Sequence, residues 1–227
     1  ILQRSYRSEQ SILEIAGSIN KQDIGVIDKL SGVQLKIEDK IRFVNKQYKR
    51  VKTIQWPRLR RIDGQLKYEG GGCRWINTEP IRWSYEWLNI VESWLEFTYM
   101  SPLSSSGSLS YVELIKAIGK VELEKENSTE LLDQIFQYLE DSKVLTLIND
   151  GPYGVRGINQ FICTSLQKQL SITNERVFSG APIIITQNSY SKRLFNGDIG
   201  VILQDKTGTY RAVFKRYKQY VFYHVYA

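Results

Sequence analysis

The sequence predicts an α/β fold in which a parallel sheet is flanked by helices and is followed, at the C-terminal end, by the start of a small antiparallel β-barrel. Two observations support this prediction. Residues 143–188 read as an apolar strand, a glycine-rich loop, a helix and a second apolar strand, which is the order typical of a parallel sheet. After the Asn196-Gly197 turn, three short strands separated by turns follow one another, as in antiparallel barrels.

Composition limits the classes of function. The chain has 227 residues, 42% of them hydrophobic, which is enough for one large or two small packed domains. Its net charge of +7 suits a polyanionic partner, nucleic acid or a membrane surface. The only cysteines are Cys73 and Cys163 and the only histidine is His224, too few for the usual structural zinc sites. We therefore expect no metal site.

Cysteine usage and hydropathy also indicate a compartment. Two distant thiols do not suggest a disulfide scaffold, so a reducing cytoplasmic setting is expected. No run of 18 apolar residues and no secretory leader is found, so no membrane association is expected. The chain begins at Ile1 rather than methionine and stops within the strand-like "YVFYHVYA", so we expect it to be a piece of a longer protein.

Helical periodicity and capping residues predict four further helices. Ser8 is a candidate N-cap for a helix with Ile12, Ile15, Ala16 and Ile19 on one face. Tryptophans and aliphatic residues at spacings of three and four predict a helix over residues 81–99, in which core packing is the favoured role of the tryptophans and base stacking the alternative. Two more helices are predicted near residues 110–118 and 128–141, the second with a capping box at Asn127 and Glu130.

A basic run lies within the strand-like residues 33–56 and just beyond them. From Arg42 to Arg61 there are eight Lys and Arg and no acidic residue, interleaved with Tyr48 and Trp56. This mixture suits nucleic acid through ion pairing and stacking. It also suits a solvated strand face, the interpretation we favour, or contact with a partner subunit.

Four stretches carry a family resemblance. The segments "SYRS" (5–8), "ILEIAGSIN" (12–20), "LINDGPYGVRGIN" (147–159) and "FSGAPIIITQNSYSKRLFNGDIGVI" (178–202) together resemble the RecD family, the alpha subunit of exodeoxyribonuclease V and a superfamily 1B DNA helicase. The resemblance implies that residues 1–198 form the second RecA-like domain, with an unassigned insertion at about 23–141. It also implies that residues 199–227 begin a small SH3-like barrel.

The resemblance implies an activity for the parent protein, namely ATP-dependent 5′-to-3′ DNA unwinding in recombinational DNA repair. ATP and Mg would be held through a separate domain, because this sequence has no G-x-x-x-x-G-K-[ST] loop: its one Gly-Lys pair, Gly119-Lys120, is followed by Val121. The chain alone is expected to be inactive and without a cofactor. The expected partners are single-stranded DNA and the other two exodeoxyribonuclease V subunits. The alternative is a stand-alone basic nucleic-acid-binding module without nucleotide chemistry.

The resemblance also assigns a catalytic residue. It implies that Arg7, within "SYRS", reaches across an interdomain cleft to the γ-phosphate of ATP as an arginine finger. A guanidinium is always charged and forks onto phosphate oxygens, so it can stabilise charge in the transition state.

Two loops are predicted to contact DNA. The glycine-rich loop contributes Gly151, Gly154 and, at the start of the next helix, Asn159, because glycines permit close backbone approach and helix N-termini favour anions. The loop after the second apolar strand contributes Asn188, Lys192 and Arg193, since strand ends of α/β sheets collect ligands and cations contact phosphate. Tight-turn chemistry for the glycines and simple exposure for the cations remain the alternatives. Asn196, Gly197 and Asp198 are predicted to be structural turn residues.

Overall fold

The computed structural model describes residues 10–32, 36–44, 46–54, 59–62, 65–68, 85–102, 109–141, 144, 146, 148–173, 175–217 and 219–225. The chain divides into two compact units, Ile1–Phe97 and Thr98–Ala227. The predicted boundary between residues 198 and 199 falls inside the second unit, where it separates two strands of one sheet.

The first unit combines short helices with two antiparallel hairpins. Its elements are α1 (Gln10–Asn20), α2 (Val26–Gly32), β1 (Ile37–Val44), β2 (Gln47–Ile54), β3 (Leu59–Ile62), β4 (Gln65–Tyr68) and α3 (Tyr85–Leu95). β1 pairs with β2 and β3 with β4, each pair antiparallel and in its own two-stranded sheet. The strands predicted between residues 33 and 56 are therefore confirmed for 37–44 and 47–54.

The predicted first helix is present as α1, but its apolar face is only partly buried. Ile15 is buried, whereas Ala16 and Ile19 are exposed. The ammonium group of Lys29 on α2 donates a 2.9 Å hydrogen bond to the buried hydroxyl of Ser18 on α1. The contact between α1 and α2 therefore includes a polar interaction. The predicted cap Ser8 lies outside the described residues.

The predicted helix at 81–99 is present as α3, which the structure describes from Tyr85. Ile90, Val91 and Leu95 are buried, as their spacing along a 3.6-residue period predicts, and Trp94 is half-buried. α3 lies against β2. The α-helical hydrogen bonding gives way to a π-helical segment at Glu96–Met100, which leads into the second unit.

The second unit places helices before a four-stranded antiparallel sheet. Its elements are α4 (Tyr111–Ile118), a 3₁₀ turn (Glu126–Ser128), α5 (Thr129–Asp141), α6 (Val155–Gln169), β5 (Ala181–Ile184), β6 (Ile199–Gln204), β7 (Tyr210–Arg216) and β8 (Gln219–His224). The strands pair in chain order, β5-β6-β7-β8, and each pair is antiparallel.

Two helices cover this sheet through aromatic contacts. The fully buried Tyr111 of α4 donates a 2.8 Å hydrogen bond to the carbonyl of Gly180, just before β5. The ring of Tyr111 meets the rings of Tyr99 and Tyr138 edge to face, with centroids 5.2 and 5.9 Å apart. On α5, the ring of Phe136 lies 5.4 Å from that of Tyr220 on β8. These contacts fix α4 and α5 against the sheet.

The helix starts show one confirmed and one wrong prediction. α4 begins as predicted after Ser110, whose hydroxyl accepts from the Glu113 N–H while the Glu113 carboxylate accepts from the Ser110 N–H. The capping box predicted at Asn127 and Glu130 is not formed, because α5 begins at Thr129 and Asn127 lies inside the preceding 3₁₀ turn. The capping box of this unit therefore begins α4 rather than α5.

The predicted parallel sheet has no counterpart among the described strands. The strand 181–184 pairs antiparallel with β6, because residues 185–198 reverse the chain and return it alongside. In the segment predicted as the preceding strand, the described residues 144, 146 and 148–150 are not in a strand. The described strands β5–β8 form an open sheet rather than a closed barrel. The chain is thus shown to be mixed helix and strand, with an antiparallel sheet.

Candidate nucleic-acid interface

The loop between β5 and β6, residues 185–198, forms a small hairpin that joins the end of β5 to the start of β6. Ser189 and Leu194 form an isolated antiparallel bridge, with the Ser189 N–H 2.7 Å from the Leu194 carbonyl and the Leu194 N–H 3.0 Å from the Ser189 carbonyl. Leu194 is buried and anchors this bridge. The bridge therefore presents residues 190–193 as a tight tip, which we call the loop tip.

Backbone hydrogen bonds close the base of the loop. Gly197 adopts a φ of +91°, a conformation that glycine reaches at little cost, and its N–H donates to the Ile185 carbonyl at 2.8 Å. The Ile185 N–H donates in turn to the Asp198 carbonyl at 2.9 Å. The side-chain oxygen of Asn188 accepts from the Asn196 N–H at 2.8 Å. Asn188, predicted to contact DNA, therefore uses its amide oxygen to hold the loop together.

Asp198 joins the loop to the strand β7. Its carboxylate accepts a 2.6 Å hydrogen bond from the Phe195 N–H, and the same oxygen lies 2.5 Å from a guanidinium nitrogen of Arg216. That guanidinium nitrogen also donates to the carbonyl of Arg193 at 2.6 Å, and the guanidinium carbon lies 5.7 Å from the centroid of the Phe195 ring. One arginine thus ties both the base and the tip of the loop to the sheet.

A second tie comes from β8. The hydroxyl of Tyr223 donates a 2.5 Å hydrogen bond to the carbonyl of Lys192. Arg193 has a φ of +51°, an uncommon value for a residue with a side chain, and its N–H bonds to the Tyr190 carbonyl at 3.1 Å. The backbone of the loop tip is thus fixed at two successive carbonyls, while the side chains of Lys192 and Arg193 are exposed.

An aromatic pair stands beside these cations. Tyr190 is 76% exposed, and its ring centroid lies 6.3 Å from that of Phe195 in an edge-to-face arrangement. An exposed ring can stack on an unstacked base, and a neighbouring cation can contact the phosphate of the same strand. Neither kind of contact, ring to base or cation to phosphate, depends on sequence.

The glycine-rich loop is packed against its own helix start. Gly154 is the N-cap of α6, and a Cβ on it would lie 2.4 Å from the Asp150 carbonyl oxygen. The N–H groups of Val155 and Arg156, which begin α6, donate to the carbonyls of Ile148 and Asn149 at 3.1 and 3.0 Å. The chain's own carbonyls thus occupy donors that an anion would need.

The remaining predicted residues lie apart from the β5–β6 loop in sequence. Gly151 has a φ of +85° at an exposed turn, and Asn159 is exposed on α6. Close packing against the backbone explains why position 154 is a glycine. A DNA contact by Gly151, Gly154 or Asn159 stays a prediction. Arg7 lies outside the described residues.

Sequence reasoning did not find the side chains that hold the β5–β6 loop from β7 and β8, nor its aromatic pair. Arg216 and Tyr223 are separated from the loop by whole strands, and their positions follow from strand register rather than from any local pattern. Tyr190 and Phe195 do lie within residues 178–202, the stretch that resembles the RecD family. Their positions on either side of Lys192 and Arg193 were the sequence signal that could have indicated the aromatic pair.

Neither a cluster of metal-ligating side chains nor a membrane-spanning helix is found in the part of the chain that the structure describes. Those residues contain no group of three or more His, Cys, Asp or Glu that could hold a metal ion. None of their helices combines the length and apolar character needed to cross a bilayer. Cys163 is half-buried on α6, and burial raises the pKa of its thiol.

Comparison with known proteins identifies relatives over part of the chain. No family model matches it. The RecBCD enzyme subunit RecD of Haemophilus influenzae is 41% identical over 64 residues, which are 27% of this chain and 10% of the relative. The RecBCD enzyme subunit RecD of Buchnera aphidicola is 25% identical over 96 residues, which are 40% of this chain and 16% of the relative. The chain thus spans only a small part of the length of the curated relatives it matches, and over these partial stretches it is related to the RecD family.

Proposed function

We propose that this chain is part of an ATP-dependent 5′-to-3′ DNA helicase subunit of the exodeoxyribonuclease V type, in which the β5–β6 loop contacts single-stranded DNA. The observation that carries the proposal is the fixed loop tip. Arg216 and Tyr223 hold its backbone while Lys192 and Arg193 stay exposed. Cations on a rigid backbone contact phosphates at a low entropic cost and without sequence preference.

The same proposal extends to nucleotide chemistry through regions outside the described residues. Parts of residues 1–198 would belong to the second RecA-like domain, and ATP and Mg would be held by another domain of the parent protein. Arg7 would reach the γ-phosphate as an arginine finger. The relatives are named as subunits of the RecBCD enzyme, which supports the other subunits of such an enzyme as partners. Recombinational DNA repair would be the process.

The loop contact is tested by removing its two cations. In the full protein, Lys192→Gln combined with Arg193→Gln should weaken binding to a single-stranded 20-mer about tenfold. The slope of log K against log salt should fall by roughly 0.7 for each phosphate that the protein no longer neutralises. The matched control is Lys120→Gln combined with Lys168→Gln, which removes the same charge from exposed lysines elsewhere in the unit. Equal affinity and slope in the two double variants would contradict the loop contact.

The nucleotide role is tested separately. Arg7→Ala should reduce ATP turnover of the full protein by about 10³-fold while leaving single-strand affinity unchanged, because an arginine finger acts on transition-state charge. Arg4→Ala is the matched control and should retain turnover. Near-normal turnover in Arg7→Ala would defeat the assignment of the finger. A full protein with DNA binding but no DNA-dependent ATP hydrolysis would favour the alternative, a basic nucleic-acid-binding module.

A further inference from the structure

The β1–β2 hairpin of the first unit carries most of the net charge of the protein. Residues 37–54 contain six Lys and Arg against two Asp and Glu, a net charge of +4, while the whole chain carries +7. α3 lies against β2 and supports the hairpin, and Lys40 pairs with Glu38 at 2.9 Å, but the remaining cations outnumber the acids and repel one another. A polyanionic partner would relieve this repulsion.

The hairpin is a regular ribbon. Its strands have the same length and pair in full register from Ile37 opposite Ile54 to Val44 opposite Gln47. At a rise of about 3.3 Å per residue, each strand is roughly 26 Å long. No third strand pairs with β1 or β2 among the described residues, so the ribbon is two strands wide.

One end of the ribbon is exposed on both of its faces. Every side chain that the structure describes in residues 39–41 and 46–50 is exposed; we call these residues the ribbon tip. The alternation of a strand places Ile41, Tyr48 and Arg50 on one face and Lys40 and Lys49 on the other. Ile41 is 72% exposed and Tyr48 79% exposed.

This arrangement selects one kind of polyanion. A single strand or an acidic protein surface would meet one face of a ribbon and would leave the cations on the other face in water. The major groove of B-DNA is about 12 Å wide, admits a two-stranded ribbon, and has a phosphate backbone along each wall. Cations on both faces then meet both walls. The deep, narrow major groove of duplex RNA does not admit side chains in this way.

We propose that the ribbon tip inserts, turn end first, into the major groove of duplex DNA, so that Arg50 on one face and Lys49 on the other contact phosphates of opposite walls and Lys46, in the turn, contacts a further phosphate. This is a second DNA contact, on the first unit, distinct from the single-strand contact proposed for the β5–β6 loop. Through this contact the protein would bind duplex DNA independently of the loop tip.

The experiment measures binding of the full protein to a 20-base-pair duplex and to a single-stranded 20-mer by fluorescence anisotropy, between 50 and 200 mM NaCl. The ribbon variant combines Lys46→Gln, Lys49→Gln and Arg50→Gln. It should lower duplex affinity at least tenfold and reduce the salt slope by about 0.9 for each of the three phosphates that these cations neutralise. Its affinity for the single strand should be unchanged. The matched control, Lys21→Gln with Lys120→Gln and Lys168→Gln, removes the same charge from exposed lysines and should keep the duplex slope.

A second measurement needs no substitution. Amide hydrogen exchange of residues 39–50 in the unmodified protein should slow when the duplex is added and should not slow with the single strand. Three outcomes overturn the proposal: an equal duplex slope in the two triple variants, an equal loss of affinity for single strand and duplex, or loss of a co-purifying protein subunit from the ribbon variant with duplex affinity intact. The last outcome would assign the ribbon to a protein partner.

Discussion

Arg216 on β7 forms an ion pair with Asp198 at the base of the β5–β6 loop, with the two charged groups 2.5 Å apart. The arginine side chain is 29% exposed and the aspartate side chain 22% exposed, so water screens this pair less than it would a surface pair. Because the same guanidinium reaches the Arg193 carbonyl, the pair sets the position of the loop tip relative to the sheet.

The first prediction concerns this ion pair. Arg216→Gln should lower the free energy of unfolding by about 1–2 kcal/mol, because a half-buried carboxylate loses charge-assisted hydrogen bonds. The matched control is Arg156→Gln, which breaks an Arg–Asp pair whose side chains are 80% and 73% exposed and should change stability little. Urea unfolding of the two variants gives the comparison. Equal destabilisation would show that the Asp198 pair is no stronger than an exposed one.

The β5–β6 loop shows what a sequence can and cannot reveal about a site. The Asn196-Gly197 turn and the adjacent cations are local features, so the sequence was sufficient to place them in one loop. The residues that hold the loop come from β7 and β8, and their approach depends on the register of a sheet. Register is a property of paired strands, and no short stretch of one strand contains it.

The direction of the sheet shows the same limit for the fold. Residues 181–184 read as a short apolar strand, and this reading is correct. A short apolar strand fits a parallel or an antiparallel neighbour equally well, so the pattern could not exclude the antiparallel pairing with β6. Helices were easier to predict, because the apolar spacing in residues 85–95 and 111–118 depends only on each helix itself.

The second prediction concerns the glycine-rich loop. Gly154→Ala should destabilise the protein by about 1–3 kcal/mol, because the new Cβ would lie 2.4 Å from the Asp150 carbonyl oxygen and 2.7 Å from the Asn149 carbonyl carbon. Both neighbours are backbone atoms and cannot rotate away. In the control Gly119→Ala, the Cβ would meet its nearest atoms at 3.7 Å, an ordinary contact, so little change is expected. Thermal unfolding of both variants tests this prediction. If Gly154→Ala left the stability unchanged, this glycine would not be required for packing.

The third prediction concerns the tyrosine buried between α4 and the sheet. Tyr111→Phe should cost about 1–2 kcal/mol, since the buried Gly180 carbonyl loses its 2.8 Å hydrogen bond while the ring contacts remain. The control Tyr190→Phe removes the hydroxyl of a largely exposed ring and should cost less than about 0.5 kcal/mol. Urea unfolding again supplies the measurement. If the two hydroxyls proved equally dispensable, the link between α4 and the start of β5 would not contribute to stability.

The fourth prediction is a dependence on acid pH that originates at Glu122. Hydrogen bonds from Lys125 and Lys206 lower the pKa of this carboxyl group from 4.5 to about 2. A carboxyl group whose pKa is lower in the folded state stabilises the fold above its unfolded pKa, and this contribution is lost as the carboxylate becomes protonated. The wild-type protein should therefore lose this increment between about pH 4.5 and pH 2, and Glu122→Gln should lack it.

Two measurements check the Glu122 prediction. Carboxyl-carbon NMR titration should place the midpoint of Glu122 near pH 2 in the folded protein, and Lys206→Gln should raise that midpoint, because one of the two cationic donors is gone. Lys168→Gln removes an exposed charge from α6 and should leave the midpoint in place. The Lys206 contact is informative because Lys206 lies in the β6–β7 turn and Glu122 follows α4, so the shifted titration reports that the helix and the hairpin are docked. A midpoint that stays near 2 in Lys206→Gln would mean that Lys125 alone sets the pKa and that the titration carries no information about this docking.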